Sequence, residues 1–334
     1  MHRSLLLRGA RQLLTLRGPE GPRRGAACLD LGVINDGSIL IHDGRILCVG
    51  PARRVDNLAE ARQAVVHEVH GTVVLPAFVD ARAAIPDNAH LSRRFFDLAF
   101  AHGSAAIGGH ASYAVLRTLD AAAATLVPIF DVATKFDEAQ ITRAVRRKLA
   151  QFLRIDLLTH SRDALHFFQS HDLPIRAHSA SPSNRDWIGL ALAYGASTID
   201  LDAPLNGPQS ELLADSPVCA VLTPASAAAA RGLIDANAAV ALGSGFGTAA
   251  AATCSMQAAA LFAARDGGLH LAEAITLATI NAAHALGIAA HCGSLETGKK
   301  ADILVLHLSD YRDLSNYTGV NIVSKIYQAG TLVA

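Results

Sequence analysis

From Val73 onward, short apolar runs alternate with Ala- and Leu-rich helical stretches, and the alternation repeats eight times. The runs read "VVLPAFVD", "SAAIGGH", "TLVPIFDV", "RIDLLTH", "LPIRAHS", "ASTIDLD", "VCAVLTPA" and "AVALGSGF". Segments with helical periodicity, such as "EAQITRAVRRKLAQFL" and "SRDALHFFQSHD", lie between them. Strands separated by helices cannot pair as hairpins, so they pair in parallel and bury both faces. Eight such units predict a closed α/β architecture, a (β/α)8 TIM-like barrel, and residues 75–290 suffice for a compact one.

Both ends of the chain read differently. "LLLRGARQLLTL", "GSILIHDGRILCVG" and "HEVHGTVVLP" are β segments, with His42-Asp43-Gly44 as a hairpin turn. Toward the other end, "CGSLETGKKADILVLHL" reads as strand, Gly-Lys turn and strand, and "NIVSKIYQAGTLVA" supplies more β structure. The simplest packing joins residues 1–74 and 291–334 into one small β-sandwich domain beside the barrel of residues 75–290.

Composition excludes several roles. The 334 residues are 51% hydrophobic and carry no formal net charge, leaving no electrostatic footprint for nucleic acid or an anionic membrane. No apolar run approaches the roughly 18 residues of a spanning helix. Arg8 and Arg11 interrupt the apolar opening stretch, which therefore reads as folded strand and not as a targeting peptide. Five cysteines without CxxC spacing read as reduced thiols of a cytoplasmic protein.

The segment "GTVVLPAFVD", the eight β/α units and the closing "GSLETGKKAD" (Gly293 to Asp302) together resemble the amidohydrolase superfamily. Within it, "LTLRGPEGPRRGAACLDLGVINDGSILIHDGRILCVG", "ATINAAHALG" and "DYRDLSNYTGVNIVSKIYQAG" are similar to the imidazolonepropionases, which open the imidazolone ring in histidine breakdown. The resemblance implies a metal held by a His-x-His pair on the first strand, a histidine on the fifth and an aspartate on the eighth. Such a metal would lower the pKa of a bound water and make it a nucleophile.

Position by position, this chain departs from that pattern. Arg82 and Ala84 stand at the His-x-His positions, and an arginine stays protonated and cannot ligate. Ala77 replaces the glycine after the first strand's proline, Ser181 the proton-handling glutamate, Leu201 the histidine after Asp200, and Gly245 the metal-binding aspartate. His178 alone survives as a candidate metal ligand. On the substrate side Tyr113 remains, while Thr134 stands where a histidine is expected. The loops after the first and third strands are shorter than the resemblance implies.

The expected cofactor content is therefore none. Arg82, if its guanidinium enters the barrel mouth, must meet a carboxylate or a small anionic ligand, with Asp131, Asp200 and Asp202 as candidate partners. Tyr113 and Arg82 are the candidate ligand-binding residues, although Tyr113 also reads as packing and His178 as a hydrogen-bonded rim histidine. Three readings stay open. One is a pseudoenzyme that binds a ligand or a partner, a homodimer included. Another is a hydrolase of cyclic amide C–N bonds with a site relocated to Asp131, His160 or Asp202. The third is a decaying copy that merely folds.

Overall fold

Eight parallel strands, each hydrogen-bonded to its neighbours in chain order, form the larger layer of the molecule: β1 (Phe78–Ala84), β2 (Ser104–Ala111), β3 (Thr125–Asp131), β4 (Phe152–Asp156), β5 (Ile175–His178), β6 (Ala196–Asp200), β7 (Cys219–Leu222) and β8 (Ala239–Leu242). The computed structural model describes residues 4–119, 125–133, 135–160, 162–179, 187–202, 205–248 and 253–333. Helices follow the strands on the outside, including Ala89–Ala101, Glu138–Arg146 and Met256–Asp266. Polar side chains start them where the sequence provides caps: Asn88 accepts from His90 and Leu91, Asp137 from Ala139, and Ser255 from Ala258. None of the described helices is long and apolar enough to cross a membrane.

Because side chains alternate along a strand, the strands serve two cores at once. Phe78, Ile107, Leu153, Ile175, Ile199 and Leu222 face the helices. Val79, Ala81, Ala106, Val127, Ile129, Phe152, Val221 and Ala241 fill the barrel interior, with Leu286 packed against them.

The seam between β1 and β8 is closed differently from the other ladders. Near the carboxyl ends Gly245 N donates to Arg82 O (2.9 Å) and Ala84 N to Phe246 O (2.7 Å). Asp80 adds a side-chain staple, its Oδ1 accepting from Arg82 N (3.0 Å) and Ser244 N (2.8 Å). Deeper down, a segment of the "ATINAAHALG" motif intervenes: Val79 N donates to Ala278 O (2.9 Å), and Asn281 Nδ2 donates to Val240 O (2.7 Å). Asn281 also accepts from Arg23 N (2.7 Å) and donates to Arg23 O (2.9 Å), so one buried amide joins the amino-terminal loop to the seam.

The terminal segments form one continuous mixed sheet. Leu5–Leu14 pairs with Val33–His42 antiparallel and with Val65–Glu68 and Val73–Pro76 in parallel. Val73–Pro76 in turn pairs with Ile303–Leu306, and Val323–Gln328 and Thr331–Leu332 extend that side. Asp43 and Gly44 both take positive φ, 50° and 75°, as a tight hairpin between Val33–His42 and Arg45–Pro51 requires. Two sequence expectations need correction. "VVLPAFVD" is not one strand: Val73–Pro76 belongs to the terminal sheet and Phe78 begins the barrel, with Ala77 N bonded to Asp302 O between them. "SLETGKK" is a set of turns, because Ser294, Glu296 and Lys299 bond one another locally and Gly298 sits at φ 90°.

Asn281→Ala leaves the amide of Arg23 and the carbonyls of Arg23 and Val240 without their partner in a fully buried place. It should cost about 3 kcal/mol of unfolding free energy, read from urea denaturation midpoints at unchanged slope. A shift within about 0.5 kcal/mol would mean that the seam closes without it.

Candidate active site at the barrel mouth

The upper interior positions of β3 to β6 carry charge. Inward alternation from Phe152 brings up Arg154 and then Asp156, and neighbouring strands supply Arg176, His178 and Asp200. Arg154 lies opposite Arg176 in the ladder, and Asp156 lies opposite His178. Two buried guanidiniums side by side repel unless a carboxylate lies between them. Asp200 fills that place. Its Oδ2 accepts from Arg154 Nε (2.8 Å), and its Oδ1 accepts from Arg176 Nε (2.8 Å) and Nη2.

A third guanidinium joins from β1. Arg82, 2% exposed, donates from Nη1 and Nη2 to the two oxygens of Asp202 (2.8 and 3.0 Å), and its Nε lies 3.5 Å from Asp200 Oδ2. Arg154 Nη1 also reaches both oxygens of Asp131 (3.0 and 3.1 Å), and Asp131 Oδ2 lies 3.2 Å from His110 Nδ1. Three arginines and three aspartates thus form one continuous cluster across the barrel. The bidentate Arg82–Asp202 pair has the geometry in which planar guanidinium and carboxylate bond most strongly.

Protonation states follow from this arrangement. Burial pushes the Asp200 carboxyl up, but Arg176, Arg82 and Arg154 outweigh it and hold the group well below the usual carboxylate range. Asp131, half-buried, is drawn down to about 2: its partial desolvation pushes it up, but its bond to His110 and the charge of Arg154 outweigh that. His178 is pushed down to about 4 by burial and by Arg154, against the pull of Asp131, Asp200 and Asp156. Asp80 is the exception: burial pushes it up to about 6 despite the N–H groups of Ser244 and Arg82. Its second oxygen has no hydrogen-bond partner among the described residues.

The metal implied by the family pattern does not fit these residues. Asp200, Asp202 and Asp131 are all engaged by guanidiniums. A divalent ion about 6 Å from one guanidinium would be repelled by about 5 kcal/mol at an effective dielectric near 20. Gly245, at the position of the expected aspartate, has φ 66°, and a Cβ there would lie 3.0 Å from Thr223 Cγ2. A side chain at this point strains the backbone as well as crowding Thr223. Among the described residues no group of three or more His, Cys, Asp or Glu is placed to hold a metal ion.

The other sequence candidates are placed as follows. His178 lies at the end of β5 on the wall of a depression of about 440 Å³, which Ser112, Asp131, Arg154, Asp156 and Thr159 also line. Half-buried Tyr113 opens the short helix Tyr113–Leu116. Its ring packs 6.2 Å from that of Phe130, with the guanidiniums of Arg117 and Arg143 5.8 and 5.9 Å from its centre. His160 faces the carbonyls of Asp156 (2.7 Å) and Ala133 (3.2 Å) and packs on Phe136 and Phe168. Asp131, His160 and Asp202 therefore have separate partners and do not converge with His178 on one ion. Ser181 and Thr134 lie outside the described residues.

Sequence reasoning missed Arg154 and Arg176. Their signal was a charge two positions before Asp156 and His178, inside strands otherwise apolar enough to be buried on both faces. Period-two spacing puts each on the same inward face as its neighbour.

Comparison with known proteins agrees with the geometry. Residues 176–333 match the Amidohydrolase family. The chain carries an amidohydrolase family domain. It is also imidazolonepropionase-like over nearly its whole length. The imidazolonepropionase of Solibacter usitatus is 29% identical over 411 residues, covering 98% of each chain, and that of Deinococcus radiodurans is 29% identical over 400 residues, covering 97% of this chain and 98% of its own. An alignment of 411 positions exceeds the 334 residues present, so this amidohydrolase-fold chain lacks internal segments that its relatives have. Among solved structures, A. niger ochratoxinase superimposes with a TM-score of 0.79 at 16% identity, covering 99% of this chain and 95% of its own, a likeness of fold.

The raised Asp80 carboxyl sets a pH dependence. Because the folded group at about 6 holds its proton more tightly than the unfolded one, its stabilisation is fully present below about pH 4 and is lost as pH rises through 6. Asp80→Asn mimics the protonated form at every pH. Wild type should therefore lose up to about 3 kcal/mol relative to Asp80→Asn between pH 4 and 7.5, measured by chemical denaturation. A difference that stays flat over this range would contradict the assignment.

Proposed function

We propose that this imidazolonepropionase-like protein is a pseudoenzyme, an amidohydrolase barrel without metal-dependent hydrolysis whose mouth binds a small molecule. The observation that carries the reading is the bonding of Asp200. The strand-six aspartate is enclosed by Arg82, Arg154 and Arg176, in a region where the family pattern would have imidazoles and an ion. The loss of ligands at Arg82, Ala84 and Gly245 removes the means of making hydroxide near neutrality. Without it, water is a poor nucleophile toward an amide-like carbon.

The charges at the mouth are matched, as a folded barrel with three arginines there requires. Buried arginines left without partners would each cost several kcal/mol, and each of the three here has a carboxylate within hydrogen-bonding distance. All five cysteines are free and three are buried, which supports a reducing, cytoplasmic setting.

The alternative is a hydrolase of cyclic amide C–N bonds that uses His178 and Asp131. It is favoured by the depression that both residues line, and disfavoured by His178 itself, whose pKa of about 4 makes it a weak base at neutral pH.

Turnover of imidazolone propionate, with a panel of lactams and cyclic amides, separates the readings. The purified protein should contain far less than one equivalent of zinc or iron and show no turnover above the uncatalysed rate, with or without added zinc. Turnover that survives chelation and disappears in His178→Ala would establish the alternative.

A further inference from the structure

We propose that a hollow beneath the barrel, at the end opposite the mouth, binds a small oxyanion, a phosphate or a carboxylate, on Arg23. The loop that forms it, "RGPEGPRRGA", belongs to a motif for which the mouth has no use. Arg24 bridges to Ala239, the first residue of β8, so this loop runs under the amino ends of the strands. Between the loop, the helix Ile280–Ala285 and the turns that hold Glu296 and Lys299 lies a space of about 410 Å³, enough for a compact molecule. Its charged or titratable wall residues are Glu20, Arg23, His284, Glu296 and Lys299, and the rest of the wall is uncharged. Just outside it, Arg17 is exposed and Lys300 lies 3.5 Å from Asp302.

Arg23 differs from the arginines of the mouth. Arg82, the cation that sequence reasoning offered to an anionic ligand, is closed off by its two bonds to Asp202. Arg23 is 6% exposed, yet among the described residues its guanidinium bonds only backbone carbonyls. Nη2 donates to Leu16 O (3.1 Å), Nη1 reaches Pro19 O at the outer limit of a hydrogen bond (3.5 Å), and Nε has no partner. Gly18 makes the room, since a Cβ there would overlap the guanidinium. Glu296, the carboxylate on the opposite side, is held within its own turn, where Oε1 accepts from Ser294 Oγ and lies 3.1 Å from Lys299 Nζ. Glu20 is exposed on the loop. Two cations thus face two carboxylates, and net charge does not select the ligand; unfilled donors do. Arg23 has five N–H groups for two carbonyls, and Lys299 has three for Ser294 Oγ and Glu296. Half-buried His284, its pKa lowered by burial and by Lys299 and Arg23, brings one more N–H. An oxyanion supplies acceptors in the charge-assisted geometry that a guanidinium favours.

The test is a titration of the full chain in which sodium phosphate or sodium acetate replaces sodium chloride at constant ionic strength and pH 7.5. Binding is followed by the His284 imidazole cross-peak in a proton–carbon NMR spectrum, assigned by its loss in His284→Gln. At least one of the two anions should shift this signal saturably, and Arg23→Lys should weaken that binding at least tenfold. Tighter binding of phosphate assigns a phosphoryl-bearing ligand, and tighter binding of acetate a carboxylate. If Arg23→Lys does not fold, Lys299→Gln takes its place, with a loss of at least threefold expected. No saturable shift with either anion, or equal affinity in the wild type and the folded variant, would overturn the site.

Discussion

Asp200 is the point on which the carboxyl end of the barrel depends. Arg154 and Arg176, adjacent on β4 and β5, both donate to it, and Arg82 approaches it across the barrel. Removing one partner from such a group costs far more than the intact group contributes, because the remaining charges stay buried. The cluster is therefore not a simple source of stability. It fixes which side chains can occupy the mouth, and through Arg82 and Asp80 it is tied to the β1/β8 seam.

Room for two long arginines comes from the opposite wall. β8, β1 and β2 contribute Ala239, Ala241, Ala81, Ala106 and Gly108 inward, all small and buried. A Cβ on Gly108 would come within 2.8 Å of Ala81 O and 2.5 Å of Leu286 Cδ2, and one on Gly243 would meet the backbone of Arg82 at 2.5 Å. Interiors packed to crystal density accept large side chains on one wall only if the facing wall is correspondingly small. A His-x-His pair on β1 and an aspartate on β8 would thus meet close backbone contacts at Gly243 and a guanidinium already paired at Arg82.

Much of this was legible in the sequence because it follows from periodicity. Eight apolar runs separated by helical stretches specify a parallel barrel, and the Asp-Gly hairpin announces itself by residue type. The expectation that Arg82, Ala84 and Gly245 stand at ligand positions came from the register of the surrounding motifs. Two kinds of feature were not legible. The division at Pro76 between sheet and barrel depends on the pairing of Val73–Pro76 with Ile303–Leu306, more than 200 residues away. The partners of Asp200 depend on which inward positions face one another across the barrel, and a linear pattern gives the face of a residue without giving its height.

The central claim is that guanidiniums have taken the place of a divalent ion, so that folding and metal are uncoupled. Thermal unfolding of the chelator-treated protein, with and without a large excess of zinc, tests it most directly. A ligand at a hundred times its Kd adds about 2.7 kcal/mol to a native state that binds it. We expect the two unfolding midpoints to agree within about 1 °C, against the several degrees that such a gain would give a domain of this size. A zinc-dependent rise of several degrees, reversed by chelator, would show an intact metal site and contradict the account.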